Sequence, residues 1–469
     1  MGRLYNGNTP SQAPSENLVP IMPLAFHPDE TSPLVATLLS DLGIAPGTLE
    51  LAIDARDEML GFLVDSFEGD RDRALFGYFR SGASIADSLG QVLRWRFGPP
   101  GRMGKLLDFA SGYGRVTRFL VRDLPPERVW VADVYADGVR FQEERLGVHG
   151  IVSAIRPEDF VCAERFDAIL VTSLFTHLPE ERFVAWLRVL LGLLAPGGML
   201  AFSAHSPEVL PPGVPMPDSG IHFQETSESG SLAKSDYGST WVTEGFVRSA
   251  LDRAIGPGAS LHRIERGLCD FQDLYLALPE GGVDFRGLDF QGEPQLSLER
   301  ARLEEGGRRL DLGGWVATRS GAIRGIEAML DGERLAAVSE LEPRPDVAAF
   351  LGSERHLRSG WDLACPLPAG ASRTAAVLRL RVVDGRGRPQ PLWTGSLESA
   401  LLAGSRQEGE RLYRELRQAH DLLAEEKARA AVEAEALRAR IQAMEASRFW
   451  KLRNAWFAVK RGIGLTEER

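Results

Sequence analysis

The chain has 469 residues, enough for two to four domains of ordinary size. Its 44% hydrophobic and 25% charged residues are typical of a folded globular protein. The net charge of −11 argues against a nucleic-acid binder, so we expect no nucleic-acid partner. Three widely spaced cysteines exclude a disulfide framework and a cysteine metal pair, and they favour a cytoplasmic location.

The first part of the chain is predicted to be disordered and then helical. Residues 1–20 are polar, lack the pattern of a secretory signal, and are interpreted as disordered. Apolar residues at three- and four-residue spacing predict helices over residues 21–100, with a break at Gly82. We interpret these helices as the N-terminal cap of a domain that spans residues 21–283.

From Lys105 onward, short apolar strands alternate with amphipathic helices. This alternation predicts an α/β domain with a parallel sheet covered on both faces. Two strand-like runs separated by Cys269 and Asp270 predict a closing antiparallel hairpin. Residues 206–241 show little periodicity, so they form either a functional loop or an element that the pattern does not reveal.

The most informative segment is LLDFASGYGR at residues 106–115. A buried strand ends at an acidic residue and enters a turn of small residues, and a helix follows. Small residues let a ligand approach the backbone, and amides at a helix start point toward it. A dinucleotide-binding pattern would need a third glycine where Thr117 stands, and the pattern of a phosphate-binding P-loop is absent.

This segment resembles the cofactor turn of class I S-adenosylmethionine-dependent methyltransferases, whose pattern is Asp/Glu-x-Gly-x-Gly-x-Gly. The runs VWVADV, FDAILVTSLFTHLPEE and LLAPGGMLAFS follow in the family's order, so the resemblance covers residues 100–280. It implies a Rossmann-like seven-stranded methyltransferase sheet with S-adenosylmethionine as the cofactor. Ala110 departs from the pattern, because the family usually has glycine there.

The resemblance also assigns cofactor-binding residues by position. They are Asp108, Ala110, Ser111, Gly112, Gly114, Arg115, Asp133 and Ser173. Asp108 would favour the cofactor's positive charge, and the glycines would let the backbone pass close to it. Asp133 would bind the ribose hydroxyls, while Arg115 either orders the turn or meets a carboxylate. The alternative is that Asp108 caps a helix and the glycines only permit a tight turn.

Candidate acceptor-side residues follow the fourth and fifth strands. His177 and His205 are candidate general bases, or else hydrogen-bonded histidines that cap a helix or fill space. Phe175, His222 and Tyr237 are candidate substrate contacts, and residues 206–241 form either a lid or a surface loop. We predict no metal ligands.

Residues 284–402 carry short strand-like runs separated by Asp331-Gly332 and Asp384-Gly385, and we predict a small β-sandwich there. LGGWV at 312–316, Arg344-Pro345-Asp346-Val347 and Ser359-Gly360-Trp361 resemble a module attached to bacterial glycosyltransferases and methyltransferases of surface-polysaccharide clusters. That resemblance implies O-methylation of a sugar in a cell-surface glycan or its lipid-linked precursor. The alternative is a non-catalytic scaffold of a glycan-assembly complex.

The C-terminal part is predicted to be helical. Residues 403–447 form a long helix or a coiled coil that joins copies of the chain. One heptad stripe comprises Leu416, Leu423, Ala430, Leu437 and Met444. Its partner stripe is poor, with Leu412, Ala419, Glu426, Glu433 and Arg440. In the tail at 448–469, residues 448–461 carry five basic residues, no acidic one, and interleaved aromatics. This stretch lies on the inner face of the membrane or docks on protein.

Overall fold

The computed structural model describes residues 32–226 and 232–462, so the predicted disorder of residues 1–20 lies outside the described residues. Three helices begin the described chain: α1 (Pro33–Asp41), α2 (Glu58–Ser66) and α3 (Arg71–Phe97). The side chains of Ser32, Asp57 and Asp70 each accept a hydrogen bond from an amide in the first turn, which fixes where each helix begins.

Helix α3 runs through Gly82 without a break, so the predicted interruption there is wrong. A Cβ atom at this position would collide with the carbonyl oxygen of Arg115. The glycine therefore allows α3 to approach the segment after the first strand of the sheet. Sequence alone cannot distinguish a glycine that breaks a helix from one that permits a close contact.

A seven-stranded sheet follows the three helices. In chain order its region comprises β1 (Leu106–Phe109), α4 (Thr117–Asp123), β2 (Val129–Asp133), α5 (Ala136–Leu146), β3 (His149–Val152), β4 (Phe166–Val171), α6 (Glu180–Gly192), β5 (Leu194–Ala204), β6 (Ile221–Gln224), β7 (Ser239–Val242), α7 (Glu244–Ile255), β8 (Ser260–Leu268) and β9 (Gln272–Leu278). The strand order is β3-β2-β1-β4-β5-β9-β8, with β1 to β5 parallel and β9 antiparallel to β5. The predicted Rossmann-like seven-stranded sheet is confirmed.

Helices cover both faces of this sheet, as predicted. Leu107 and Phe109 pack with buried residues of α6 and α7, whereas Leu106 packs with buried residues of α3 and α4. Successive strand residues point to opposite faces, so a four-residue strand supplies apolar side chains to two separate cores. Asp108 lies on the same face as Leu106, toward α3 and α4.

The segment 206–241 contains an element that the pattern did not reveal. Strand β6 pairs antiparallel with β7, and its register places His222 opposite Trp241. Gly238 lies beside β6 so closely that a Cβ atom there would collide with the carbonyl oxygen of Gln224. Residues 227–231 lie outside the described residues.

The all-β region that follows was also predicted. It comprises β10 (Gln295–Glu304), β11 (Arg309–Ala317), β12 (Ile323–Leu330), β13 (Glu333–Val338), β14 (Glu342–Pro343), α8 (Pro345–Phe350), β15 (Arg358–Pro366), β16 (Val377–Asp384) and β17 (Pro389–Ser396). Two four-stranded sheets have the orders β10-β11-β15-β14 and β13-β12-β16-β17. Asp331 and Gly332 both have positive φ, as a tight hairpin requires, and Arg344 pairs with Asp346 around Pro345.

The cap helices bind this all-β region through buried and half-buried charges. Arg379 donates to Asp41 at 2.6 Å, and both side chains are almost fully buried. Arg388 donates to Asp87 of α3 at 2.7 Å. The described residues up to Leu401 form one compact unit, and a second unit begins at Leu402.

Two helices end the described chain: α9 (Leu397–Ala446), which confirms the predicted long helix, and α10 (Arg448–Gly462). Ser447 separates them, and its hydroxyl accepts a hydrogen bond from the amide of Trp450 in the first turn of α10. Within residues 32–226 and 232–462, no helix combines the length and the apolar character that crossing a bilayer demands.

Candidate functional site

The turn after β1 holds an unusual run of left-handed backbone. Ala110, Gly112 and Gly114 have φ values of +59°, +58° and +79°. At Ala110, where the resembling family usually has glycine, this conformation carries a steric cost that glycine avoids. A Cβ atom on Gly112 would meet no atom within 4 Å, so this part of the turn faces open space.

Asp133 at the end of β2 joins this turn. One carboxylate oxygen accepts the amide of Gly112 at 2.7 Å, and the other accepts the amide of Tyr135 at 3.0 Å. Burial raises the pKa of Asp133, and these main-chain donors oppose that shift. Each carboxylate oxygen still has acceptor capacity for a ligand hydroxyl.

Asp108 lies beneath the turn at the end of β1 and is only 1% exposed. One carboxylate oxygen accepts the hydroxyl of Thr117 at 2.7 Å, and the other is buried without a hydrogen-bond partner in the described structure. Burial raises the pKa of Asp108 to about 7, so the carboxyl group is protonated in a large fraction of molecules at neutral pH. A cation placed nearby would favour its ionised form.

Gln142 of α5 holds the turn and was missed by the sequence analysis. Its amide donates to the hydroxyl of Ser111 and to the carbonyl oxygen of Gly112, both at 2.9 Å. It is fully buried, and a Cβ atom on Gly114 would lie 3.0 Å from it. Glycine is therefore needed at position 114 because Gln142 packs against it and because its φ is positive. Room for a ligand is not the reason. A glutamine in the polar run FQEERL gives no sequence signal for this role.

Arg118 connects the turn to the cap helices and was also missed. Its guanidinium donates at 3.0 Å to the carbonyl oxygens of Gly114, Glu50 and Ala52, and the residue is 1% exposed. Arg115 was predicted to order the turn or to meet a carboxylate. It donates to the hydroxyl of Ser81 on α3 at 2.7 Å, and this bond joins the turn to the cap.

Ser173 lies just beyond the end of β4 with φ +66°. Its amide donates to the hydroxyl of Ser203 at 2.8 Å, and its own hydroxyl bonds to the side-chain amide of Gln272. Gln272 begins β9, whose next residue, Asp273, is opposite Ala204 at the end of β5. The β8–β9 hairpin therefore lies at the same sheet edge as the turn after β1.

Phe175 does not face the acceptor side, so its predicted substrate contact is corrected. It is completely buried, with its ring centre 4.7 Å from that of Phe183 and 4.8 Å from that of Phe202. Its position in the sequence, just after β4, suggested the sheet edge. The short turn after Ser173 instead directs this side chain into the core.

His177 anchors the segment before β7. Its Nδ1 is 2.7 Å from the carbonyl oxygen of Gly238, and its ring stacks on Tyr237 with centres 4.3 Å apart. Burial lowers the pKa of His177 to about 4, which makes its imidazole a weak base. The predicted lid residue Tyr237 is thus held by His177 on one side, and the geometry gives this histidine a positioning role.

His205 follows β5 and lies among rings. Its centre is 4.9 Å from that of Phe271 and 5.9 Å from that of Trp241, and His222 approaches Trp241 from β6 at 5.8 Å. Nδ1 of His205 is buried and finds no partner among the described residues. Burial lowers the pKa of His205 to about 3, so it also is a weak base near neutral pH.

A carboxyl group at the tip of the β8–β9 hairpin was not singled out from the sequence. Asp270 is 8% exposed, and one of its oxygens is 3.4 Å from Nε of Arg319 in the all-β region. Its other oxygen is buried without a hydrogen-bond partner in the described part of the chain. Burial raises the pKa of Asp270 to about 7, within the range suited to proton transfer at neutral pH.

Comparison with known families identifies the central segment. Residues 107–200, which run from β1 into β5, match the family model described as a methyltransferase domain. This match agrees with the predicted methyltransferase domain, and S-adenosylmethionine stays the predicted cofactor. The match covers the turn, Asp108, Asp133, Gln142 and Ser173, but neither the cap nor the all-β region.

Several solved structures resemble part of the chain at low identity. DesVI of Streptomyces venezuelae is 16% identical, with 43% of this chain and 92% of that chain covered and a TM-score of 0.32. A sugar N-methyltransferase from Streptoalloteichus is 17% identical (42% and 87% covered, TM-score 0.32). An amino pentose methyltransferase from Micromonospora echinaspora is 18% identical (42% and 91% covered, TM-score 0.31). No curated protein matches the chain.

Proposed function

We propose that this protein transfers a methyl group from S-adenosylmethionine to a sugar hydroxyl of a cell-surface glycan or its lipid-linked precursor. The observation that carries the proposal is the turn after β1. There the carboxylate of Asp133 accepts a hydrogen bond from the amide of Gly112, and the space next to Gly112 is open. The turn lies at the carboxyl edge of the sheet, beside the point between β1 and β4 where the strand order reverses, and ligands of open α/β sheets bind there.

The residues of the turn fit this cofactor in charge and shape. When bound, S-adenosylmethionine supplies an electrophilic methyl group on a positively charged sulfur. Asp133 has acceptor capacity for two ribose hydroxyls, and the backbone at Gly112 leaves room for the ligand. The unpartnered oxygen of Asp108 favours a cation, whereas a pyrophosphate would be repelled.

We propose Asp270 rather than either histidine as the proton acceptor, because the tip of the β8–β9 hairpin lies at the same sheet edge as the turn and one buried oxygen of Asp270 has no hydrogen-bond partner among the described residues. A general base works best with a pKa near the working pH, and the pKa of Asp270 is about 7 against about 4 for His177 and about 3 for His205. His177, Tyr237 and the β6–β7 ribbon would then shape the acceptor pocket. Much of the rate enhancement would come from positioning the hydroxyl in line with the methyl group.

Calorimetry with S-adenosylhomocysteine tests the cofactor site. Each charged hydrogen bond that Asp133→Ala removes is worth about 1.5–3 kcal/mol, so we expect affinity to fall at least tenfold. Asp123→Ala, at an exposed carboxylate at the end of α4, is the matched control and should bind like the wild type. No binding by the wild type at millimolar ligand would overturn the enzyme proposal and favour a scaffold.

Mass spectrometry of the host's surface glycan tests the acceptor. Loss of the protein should remove one methylene mass per modified sugar, and reintroduced wild type should restore it while Asp133→Ala should not. An unchanged glycan from cells in which the wild type binds cofactor would reject the glycan acceptor but not the methyltransferase.

Because Asp108 titrates near neutral pH, we expect the affinities for S-adenosylmethionine and S-adenosylhomocysteine to depend differently on pH. Its pKa of about 7 means that it is mostly protonated at pH 6 and mostly ionised at pH 8. The sulfonium of S-adenosylmethionine gains from the ionised form, whereas uncharged S-adenosylhomocysteine does not. We expect the affinity ratio of the first ligand to the second to rise about three- to tenfold between these pH values.

Ratios measured by calorimetry at pH 6, 7 and 8 decide whether Asp108 has this role. Asp133 contacts a part common to both ligands, so its own titration cancels in the ratio. Asp108→Asn should give a ratio that no longer changes with pH. A pH-independent ratio in the wild type would show that the sulfonium does not lie near Asp108.

The tail suggests where the enzyme works. We further propose that α10 attaches the protein to an anionic lipid surface, at the inner face of the membrane. Phe449, Leu452, Trp456 and Val459 recur at helical spacing and are all more than half exposed. Arg448, Lys451, Arg453, Lys460 and Arg461 accompany them without any acidic residue. Aromatic and basic side chains on one helix suit a negatively charged interface.

A further inference from the structure

Helix α9 carries an apolar stripe that is exposed among the described residues of a single chain. Positions spaced by seven form its first line: Leu416, Leu423, Ala430, Leu437 and Met444. A second line lies three residues earlier: Tyr413, His420, Lys427, Ala434 and Ile441. The six large apolar side chains of the two lines are 50–70% exposed. The stripe spans five heptads and stops just before Ser447, where α9 ends.

These two lines correct the pairing considered from the sequence alone. A coiled-coil seam alternates steps of three and four residues, so Leu416 as position d takes Tyr413 as its preceding position a. The line through Glu426, Glu433 and Arg440 occupies position g at the edge of the seam. Taken in this register, every heptad has an apolar d residue, and only His420 and Lys427 are polar at a.

We propose that residues 413–445 pair with the same residues of a second copy of the chain as a parallel, in-register coiled coil. The charges beside the seam support this partner and this orientation. In a parallel pair, each g residue faces the e residue five positions later on the other helix. Glu433 then faces Arg438 of the second copy, and Arg440 faces Glu445 of the second copy.

The remaining edge pairs are free of repulsion in the parallel arrangement. Leu412 faces Arg417, Ala419 faces Ala424, and Glu426 faces Ala431. A fully overlapped antiparallel pair instead brings g residues together, so that Glu426 lies near Glu426 or Glu433 of the other helix. Like charges held together there destabilise that orientation.

The polar a residues argue for a dimer with a fixed register. Lys427 stands at the centre of the seam, and a single polar residue at position a specifies register and a low oligomer state at a cost in stability. In register, Lys427 faces Lys427 of the second copy, which is the cost in stability, whereas any slip of one heptad would lose both charge pairs at the edges of the seam. Parallel pairing also places both α10 helices at one end, which doubles the basic and aromatic groups there.

Disulfide formation in the full-length protein tests the orientation. Ala434→Cys places a thiol at position a, where parallel helices bring equal positions together, and Ala439→Cys is the matched control at the outward position f. No native cysteine lies in α9. We expect a disulfide-linked dimer on oxidation for Ala434→Cys alone. In an antiparallel pair, the two copies of residue 434 would be about 16 Å apart along the axis, too far for a bond.

Light scattering and charge exchange test the partner and the register. The wild type should have twice the mass of one chain, and Glu433→Lys should raise the dimer dissociation constant several-fold by facing Arg438. Glu433→Lys combined with Arg438→Glu should restore it. A monomeric mass for the wild type at tens of micromolar, equal cross-linking of both cysteine variants, or no rescue by the double exchange would each overturn the proposal.

Discussion

Gly112→Val should abolish binding of S-adenosylmethionine and S-adenosylhomocysteine while the sheet remains folded. The space beside Gly112 contains no protein atom within 4 Å, so a valine side chain would occupy room that the cofactor needs. The substitution also forces a β-branched residue to φ +58°, at a cost of about 1–2 kcal/mol. That cost is small against the 5–15 kcal/mol that holds an ordinary domain folded.

Two variants separate the loss of binding from backbone strain. Gly47→Val, at φ +77° with equally open surroundings in the cap, carries the same strain away from the turn and should bind cofactor normally. Gly112→Ala retains the strain with a smaller side chain and should weaken binding less than valine. Calorimetry gives affinity, and thermal unfolding shows whether each variant is folded. Wild-type affinity in a folded Gly112→Val protein would contradict the proposal that the cofactor lies beside Gly112.

The strands and the turn could be predicted because their signals are local. LLDF is a buried strand with an acid as its last residue but one, and the residues after it are small, so β1 and its turn follow from a short stretch of sequence. The same holds for α9, a long run without proline. The resemblance then added the order of the remaining strands, which no local signal contains.

The supports of the turn could not be predicted, because each depends on a contact between distant parts of the chain. Gln142 reaches Ser111 from 31 residues away, and Arg118 reaches the carbonyl oxygen of Glu50 across 68 residues. Asp270 meets Arg319 in the connection between β11 and β12, which no spacing in the sequence indicates. Burial also gives His177 and His205 a lower basicity than their residue type suggests.

The tail prediction concerns the whole protein rather than the turn. Full-length protein should sediment with vesicles that contain anionic lipid, and removal of residues 448–469 should leave it in the supernatant. Each Lys or Arg at such a surface contributes about 1 kcal/mol, so five basic residues in one helix give strong attachment at low salt. Added salt should release the protein, because charges are screened over about 10 Å at 0.1 M.

Point variants separate the aromatic contribution from the charges. Trp456→Ser removes one of the exposed apolar side chains of α10 and should weaken vesicle binding while all five basic residues remain. Leu422→Ser, at the outward position c of α9, removes a similarly exposed apolar side chain outside α10 and should bind as the wild type does.

The tail lies outside the methyltransferase domain, so truncation should leave transfer to a soluble acceptor unchanged. If α10 docked on protein instead, full-length protein would stay in the supernatant with every vesicle, and truncation would change its mass in solution. Because a lipid-linked acceptor is itself held at the bilayer, attachment through α10 would confine enzyme and acceptor to one surface and so raise their effective concentration.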